Sequence, residues 1–115
     1  MKGTPAPHIT VLPAAARVRV TVKGEVFADS HDALALREGD YPVVYYFPRK
    51  DVKMDRLART DHRSYCPFKG HASYFSFKSG AENAVCSYED PYDEMLGIKE
   101  RLAFYPTKVD SIATG

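Results

Sequence analysis

Polar and apolar residues alternate without a break over residues 17–23, Arg-Val-Arg-Val-Thr-Val-Lys. In an extended chain the three valines share one face, and the basic residues and the threonine share the other, as in a strand with one buried face. Gly24 follows directly and allows a sharp reversal into the short segment 25–28, Glu-Val-Phe-Ala. The pattern predicts a β-hairpin near the start of the chain.

Short segments rich in aromatic, β-branched or alternating apolar residues recur along the chain and predict further strands at 8–12, 33–38, 41–47, 72–78, 83–88 and 101–105. Helical signals are weaker. Asp51 precedes apolar residues at i, i+3 and i+4 spacing, which predicts a short helix over residues 51–58. Asp90 followed by Pro91 predicts a helical turn that Gly97 ends. A polar tail is expected after the last strand.

Many short strands without long helices to connect them predict a mainly β fold, a β-rich α+β domain with antiparallel sheets and short helical pieces. The length of 115 residues fits a single domain, residues 1–115. The side chains that alternation or continuous apolarity places in the core are Val18, Val20, Val22, Val44, Phe75, Leu102 and Phe104.

Charge and composition narrow the class of function. The chain has 16 basic and 15 acidic residues, so it lacks the basic excess that nucleic-acid binding proteins usually carry. The longest apolar run, residues 43–47, is far shorter than a membrane span. The first residues lack the apolar core of a secretory signal. We therefore expect a cytoplasmic protein with a small-molecule ligand, no nucleic-acid partner and no membrane association.

Cys66 and Cys86 are the two cysteines of the chain. Neither belongs to a C-x-x-C pair, so the paired cysteines of a zinc ribbon are missing. We expect no metal and no cofactor. In a cytoplasmic protein both thiols are expected to be reduced.

The segment 66–70, Cys-Pro-Phe-Lys-Gly, is the clearest turn signal in the sequence. Proline fixes φ for the first corner of a turn, and Gly70 permits a left-handed exit. Such a turn can join two strands and hold Cys66 near Lys69. An ammonium beside a thiol favours the thiolate, and an ammonium beside turn amides can bind an anion.

Four blocks of the sequence resemble a known family, and they are residues 17–20 with 24–25, residues 46–52, residues 66–70 with 72–74, and residues 103–105. They are similar to the domain-of-unknown-function 427 family of bacteria and fungi, over about residues 17–112. Residues 1–16 would then be an N-terminal extension. The resemblance implies a compact β-tent, Mss4-like fold, here without zinc, and it implies no established activity.

Two features of the sequence qualify this resemblance. The family commonly has a tryptophan close to the position of Cys86, and this chain has no tryptophan. The family has also been labelled nucleotidyltransferase-like, but the sequence contains neither a Gly-Ser dipeptide nor an Asp-x-Asp motif. Nucleotidyl transfer needs carboxylates that converge on metal ions. The label therefore has no support in these residues.

The candidate ligand-binding residues are Lys69, Arg49, Tyr46, Tyr74 and Gly70, and the candidate catalytic residue is Cys66. Lys69 and the turn amides would hold an anionic group, and a guanidinium at Arg49 could bind a carboxylate or phosphate through two hydrogen bonds. Tyr46 and Tyr74 would form aromatic walls, because the resemblance covers both. Among the histidines, His62 and His71 flank the turn and could supply a base.

The leading hypothesis is a monomeric or homodimeric pocket protein that binds a small polar or anionic metabolite at the turn and its aromatic walls. One alternative is a thiol-dependent enzyme that uses Cys66 on a small metabolite. Another alternative is a protein-interaction or assembly module that covers its aromatic strand ends with a partner.

Overall fold

The computed structural model describes residues 2–3 and 8–115, and these residues form ten strands. In chain order the strands are β1 (Ile9–Pro13), β2 (Val18–Val22), β3 (Glu25–Ser30), β4 (Leu34–Glu38), β5 (Val44–Tyr46), β6 (Leu57–Cys66), β7 (Gly70–Phe77), β8 (Val85–Ser87), β9 (Leu102–Phe104) and β10 (Ser111–Thr114). Short 3₁₀ helices occupy Arg49–Asp51, Met54–Arg56, Asp93–Ile98 and Pro106–Lys108. Of the proposed extension, residues 1–16, residues 1 and 4–7 lie outside the described part.

The strands form three antiparallel sheets. Their strand orders are β1-β4-β5, β10-β2-β3 and β6-β7-β8-β9. The predicted mainly β, antiparallel fold with only short helical pieces is therefore confirmed. No helix in residues 2–3 and 8–115 is both long enough and apolar enough to cross a membrane.

The predicted hairpin of β2 and β3 is present. Val22 pairs with Glu25, so Lys23 and Gly24 alone form the turn. Both have positive φ, at 50° and 80°. A two-residue turn of this kind matches the right-handed twist of the strands it joins. The two-residue Lys23-Gly24 turn thus fixes the strand register in which the valines of β2 are buried.

The helix predicted over residues 51–58 is wrong. Two short 3₁₀ helices occupy part of this segment, Asp51 caps neither through its side chain, and β6 begins at Leu57. Val52 forms an isolated antiparallel bridge with Ala28. Leu57 pairs with Phe77 and is buried. Two of the three apolar residues that suggested a helical stripe, Leu57 and Ala58, instead pair with β7. Such long-range pairing overrides a weak local preference.

The polar tail expected at the end of the chain is also a strand. β10 pairs antiparallel with β2 along its whole length, although only one of its residues is apolar and partly buried. An edge strand is held mainly by main-chain hydrogen bonds to its neighbour. Its amino-acid composition therefore need not show the apolar pattern by which a strand is predicted.

The apolar side chains form two cores, one on each face of the β6-β7-β8-β9 sheet. The first core contains six of the predicted core residues and is centred on Val18, Val20, Val22, Phe27, Phe47, Phe75, Phe77, Val85, Leu102 and Phe104. The second core contains Ile9, Leu36, Tyr46, Ala72, Tyr74, Cys86, Tyr88, Met95, Ile98 and Ala103. The core prediction for Val44 is wrong, because Val44 is only half-buried and faces a cavity.

Candidate functional site

A cavity of about 540 Å³ lies where two sheets separate. Just after β5, Phe47 forms an antiparallel bridge with Leu102 of β9, with N···O distances of 2.8 and 2.9 Å. Away from this bridge the strands β5 and β9 no longer pair. The space between them is lined by Val43, Val44, Tyr45, Tyr46, Lys69, Cys86, Tyr88, Ala103, Phe104, Tyr105, Pro106, Val109, Ser111 and Ile112.

Strand register explains which side chains reach the cavity from the second core. Cys86 on β8 stands opposite Tyr74 on β7 and Ala103 on β9, so the three side chains share one face of the sheet. A thiol and a methyl group are short, and they leave room above the sheet. Tyr46 closes this space from the neighbouring sheet, where it pairs with Leu34.

Lys69 is the charged residue among the described residues that line the cavity. Its Nζ lies 3.4 Å from Oε1 of Glu38, and its side chain is 13% exposed. The same Nζ lies 5.8 Å from the centre of the Tyr88 ring. An ammonium over an aromatic face is stabilised by the ring quadrupole. The cation is therefore held in place by an ion pair and an aromatic ring rather than left free in solvent.

The turn that carries Lys69 has the predicted geometry. Cys66 pairs with Gly70, and the Lys69 amide donates to the Cys66 carbonyl across 3.2 Å. Gly70 has a φ of 109°, a conformation open to glycine. Because the turn uses the Lys69 amide internally, that amide is not available for a ligand anion. The Lys69 ammonium is the part of the turn that reaches the cavity.

Burial favours the neutral form of other groups in the cavity wall. It raises the pKa of the Cys86 thiol to about 11, and the field of Lys69 only partly offsets this effect. Burial also raises the pKa of the Tyr46 hydroxyl. The Tyr74 hydroxyl lies 2.8 Å from Ser64 Oγ and 2.9 Å from the Tyr105 hydroxyl. The cavity thus combines the Lys69 cation with uncharged polar and apolar walls.

The structure separates the predicted site residues. Lys69 and Tyr46 line the cavity, and Gly70 shapes the adjoining turn. Tyr74 is one layer behind the wall, where its hydroxyl contacts that of Tyr105. Cys66 is half-buried against the second core and does not line the cavity, whereas Cys86 does.

The two cysteines are far apart in the sheet. Cys66 pairs with Gly70, and Cys86 pairs with Tyr74, so their positions differ by four residues along β7, or about 13 Å. A disulfide needs Cα atoms within about 7 Å. The strand register therefore opposes a disulfide within the chain.

Arg49 lies on the opposite face of the sheet from Lys69. Its Nη2 lies 3.0 Å from Glu89 Oε2 and 3.2 Å from Ser87 Oγ, and its Nε donates to the Glu100 carbonyl at 2.6 Å. Ser87 is adjacent to Cys86 in β8, and adjacent strand residues face opposite sides. A combined anion site of Arg49 and Lys69 therefore does not form.

Glu89 is the centre of the arginine cluster on that face. Arg59 donates to both of its carboxylate oxygens at 2.7 Å, and Ser73 and Arg49 also donate hydrogen bonds to this carboxylate. Together they lower the pKa of Glu89 from 4.5 to about 2. The ionised carboxylate thus stabilises the folded chain fully above pH 4.5, and this stabilisation is lost as the pH falls towards 2.

We expect Glu89→Gln to lower the free energy of unfolding by about 1 kcal/mol at pH 7, a figure reduced for solvent screening. The gap between parent and variant should narrow from pH 4.5 to pH 2, because acid removes the same charge from the parent. Urea unfolding at a series of pH values measures this. Glu82→Gln, at an exposed position, serves as the control. If the difference in unfolding free energy between parent and Glu89→Gln stays constant down to pH 2, the arginine cluster does not lower the pKa of Glu89.

Several cavity residues were not expected from the sequence. Tyr105 ends a block that carries the family resemblance, so it could have been added to the tyrosine walls, whereas Cys86 lies outside those blocks. Val109 and Ile112 belong to the segment expected to be a polar tail, and no sequence signal marked them. Within the described residues, no cluster of three or more histidine, cysteine, aspartate or glutamate side chains could hold a metal ion.

Comparison with known proteins gives one positive result. A search of curated proteins found no match. The model of the family described as "Domain of unknown function (DUF427)" matches residues 10–115. This match confirms the resemblance found in the sequence and begins within β1, seven residues before the first block of that resemblance. Since the match takes in all three sheets and every wall of the cavity, the chain belongs to the DUF427 family.

Proposed function

We propose that the protein binds a small molecule with an anionic group and an uncharged, largely apolar body in the cavity between β5 and β9. The main support for this proposal is the Lys69 ammonium, which is mostly buried in a cavity wall that otherwise consists of uncharged residues. A cavity of about 540 Å³ is within the range of about 300–1,000 Å³ that is usual for small-molecule sites.

The ion pair with Glu38 leaves Lys69 able to bind an anion. An ammonium has three N–H donors, and the carboxylate of Glu38 engages it at 3.4 Å on one side. Charge attraction is stronger in a site that excludes water than at an exposed surface. A carboxylate or phosphate on the ligand would therefore gain more from Lys69 than from a surface lysine.

The apolar lining accounts for the rest of the ligand. Val43, Val44, Val109 and Ile112 offer aliphatic surface, and Tyr46 and Tyr105 offer aromatic surface with polar tips. Such walls favour a ligand body of aliphatic or aromatic groups, because burial of apolar area contributes roughly 25 cal/mol per Å².

Catalysis through Cys66 has less support from the geometry. Cys66 does not line the cavity, and the thiol that does, Cys86, has its pKa raised rather than lowered. A reactive cysteine requires a thiolate, which burial in apolar surroundings disfavours. We therefore favour binding over thiol chemistry.

We expect Lys69→Met to weaken binding of a carboxylate ligand about tenfold or more, because a hydrogen bond to a charged group contributes roughly 1.5–3 kcal/mol. Methionine keeps the aliphatic stem and removes the charge. Suitable ligands are aryl and branched alkyl carboxylates, such as 3-phenylpropionate, each paired with its uncharged carboxamide. Titration calorimetry on the parent and the variant measures both affinities.

The controls separate charge recognition from folding. The carboxamides should bind parent and Lys69→Met with similar affinity. Lys99→Met, which removes an exposed lysine outside the cavity, should leave carboxylate binding unchanged. The proposal is wrong if Lys69→Met binds the carboxylates as tightly as the parent, or if no compound of the panel raises the melting temperature of the parent at millimolar concentration.

A further inference from the structure

The tyrosines of the second core and the cavity wall differ in whether their hydroxyls are hydrogen-bonded. The Tyr74 hydroxyl is paired with Ser64 Oγ at 2.8 Å and with the Tyr105 hydroxyl at 2.9 Å. Of the hydrogen bonds within the described part of the chain, none involves the hydroxyl of Tyr46 or that of Tyr88. We call Tyr46 and Tyr88 the tyrosine pair.

The tyrosine pair is buried in the wall of the cavity. Tyr46 is 2% exposed and Tyr88 is 8% exposed, and both residues line the cavity. Proteins pair the large majority of their buried polar side-chain atoms, because a hydroxyl withdrawn from water without a partner is destabilising. For these two hydroxyls the space in which a partner can lie is the cavity.

The state of the two hydroxyls defines the kind of partner. Burial raises the pKa of both tyrosines, so both hydroxyls stay protonated and can donate a hydrogen bond. The Cys86 thiol is close enough to act on both of them electrostatically, but a thiol is a weak donor and a weak acceptor. The tyrosine pair therefore offers two donors that an oxygen atom of a ligand can accept.

The tyrosine pair lies close to the cation of Lys69. The Lys69 Nζ is 5.8 Å from the centre of the Tyr88 ring, and the centres of the Tyr88 and Tyr46 rings are 6.5 Å apart. A ligand whose anionic group binds Lys69 can therefore reach the pair through a chain of a few atoms. The charge of Glu38 adds to the effect of burial in raising the pKa of Tyr88. The same charge repels a second anionic group at the pair.

We infer that the ligand carries, a few atoms from its anionic group, an uncharged hydroxyl or carbonyl oxygen that accepts a hydrogen bond from the tyrosine pair. The inference rests on the proposed function and specifies its ligand as a hydroxy or oxo derivative of an apolar acid. A purely apolar body would exclude water from two buried hydroxyls without replacing its hydrogen bonds, and affinity is lost in such an exchange. A site that hydrogen-bonds a ligand oxygen discriminates against the analogue that lacks it.

Carboxylates with and without the additional oxygen give a direct test. The reference compound is 3-phenylpropionate, and it is compared with its ring-hydroxylated isomers, with phenyllactate and with phenylpyruvate, which place the oxygen at different distances from the carboxylate. The best of these should bind the parent about three- to tenfold more tightly than the reference. Tyr46→Phe should remove most of this preference and leave the affinity for 3-phenylpropionate unchanged. Tyr88→Phe should reduce the preference less, because Tyr88 is the less buried of the two.

Tyr74→Phe is the matched control, because it removes a hydroxyl that is paired and does not line the cavity. It should lower the melting temperature by about 3 °C or more and leave the ligand preference intact. Tyr46→Phe should not lower the melting temperature, since its hydroxyl has no hydrogen bond to lose within the described residues. A loss as large as that in Tyr74→Phe would contradict the unpaired state of Tyr46.

The binding results separate a failure of this inference from a failure of the proposed function. If the carboxylates bind with Lys69 dependence but no oxygenated compound is preferred, the inference is wrong and the proposed function stands. The same holds if the preference survives both Tyr46→Phe and Tyr88→Phe. Equal weakening of 3-phenylpropionate and the oxygenated compound in Tyr46→Phe would show that the carboxylate itself binds the pair, which also overturns the inference. If no carboxylate binds, both are wrong.

Discussion

Truncating Phe75 to alanine should lower the free energy of unfolding by about 3–5 kcal/mol. Phe75 is 5% exposed and lies in the first core, opposite Val85 on β8. Its ring also contacts the arginine cluster, because the guanidinium carbons of Arg59 and Arg49 lie 4.9 and 5.8 Å from the ring centre. The substitution therefore leaves a cavity and removes two cation–π contacts at once.

Urea unfolding followed by circular dichroism measures this loss at pH 7. Tyr41→Ala is the matched control, because Tyr41 is a large aromatic residue that is 74% exposed. Its truncation should change stability by no more than about 0.5 kcal/mol. A loss at Phe75 as small as that at Tyr41 would mean that β7 does not have the register described here.

Gly70→Val should destabilise the chain by about 1–3 kcal/mol through backbone conformation rather than through a clash. Gly70 has a φ of 109°, which a β-branched residue adopts only with strain. A Cβ at this position would lie 3.6 Å from the Pro91 Cα, an ordinary contact distance. Since the turn sets the position of Lys69, ligand affinity should fall together with stability.

Gly97→Val tests the same side-chain change without the unusual φ. Gly97 lies in a 3₁₀ helix outside the positive-φ region, and a Cβ there would come no closer than 3.9 Å to Leu34. Because Gly70 is buried and Gly97 is exposed, the difference between the two melting temperatures contains the effect of the positive φ together with that of burial. Equal losses in the two variants would contradict the assignment of strain to Gly70.

Local patterns predicted much of the fold, and long-range pairing explains where they failed. The alternating valines of β2 and the Lys23-Gly24 turn are local signals that span only a few residues, so the hairpin could be predicted from the sequence. The 51–58 segment could not, because Leu57 belongs to β6 through its pairing with Phe77, which is distant in sequence. β10 was missed because its partner β2 supplies what its own composition does not.

The candidate site was predicted in part for a similar reason. The turn of Lys69 and Gly70 is a local feature, and Tyr46 lies within a clear apolar run, residues 43–47. Which face of a sheet a loop residue reaches is not a local property, so Arg49 could not be placed opposite Lys69 in advance. The cavity itself arises from the separation of β5 and β9 beyond the Phe47 bridge, which no segment of sequence encodes alone.

The pairing of β10 with β2 also sets the order in which this molecule can become competent to bind. The loop that this pairing closes spans residues 23–110, and Val109, Ser111 and Ile112 complete the cavity wall only when it has closed. Chains dominated by such distant contacts fold on the order of milliseconds to seconds, whereas a hairpin forms in about 1–10 μs. The Lys69 turn can therefore form long before the cavity is complete. A ligand can bind only to chains in which β10 has already paired with β2.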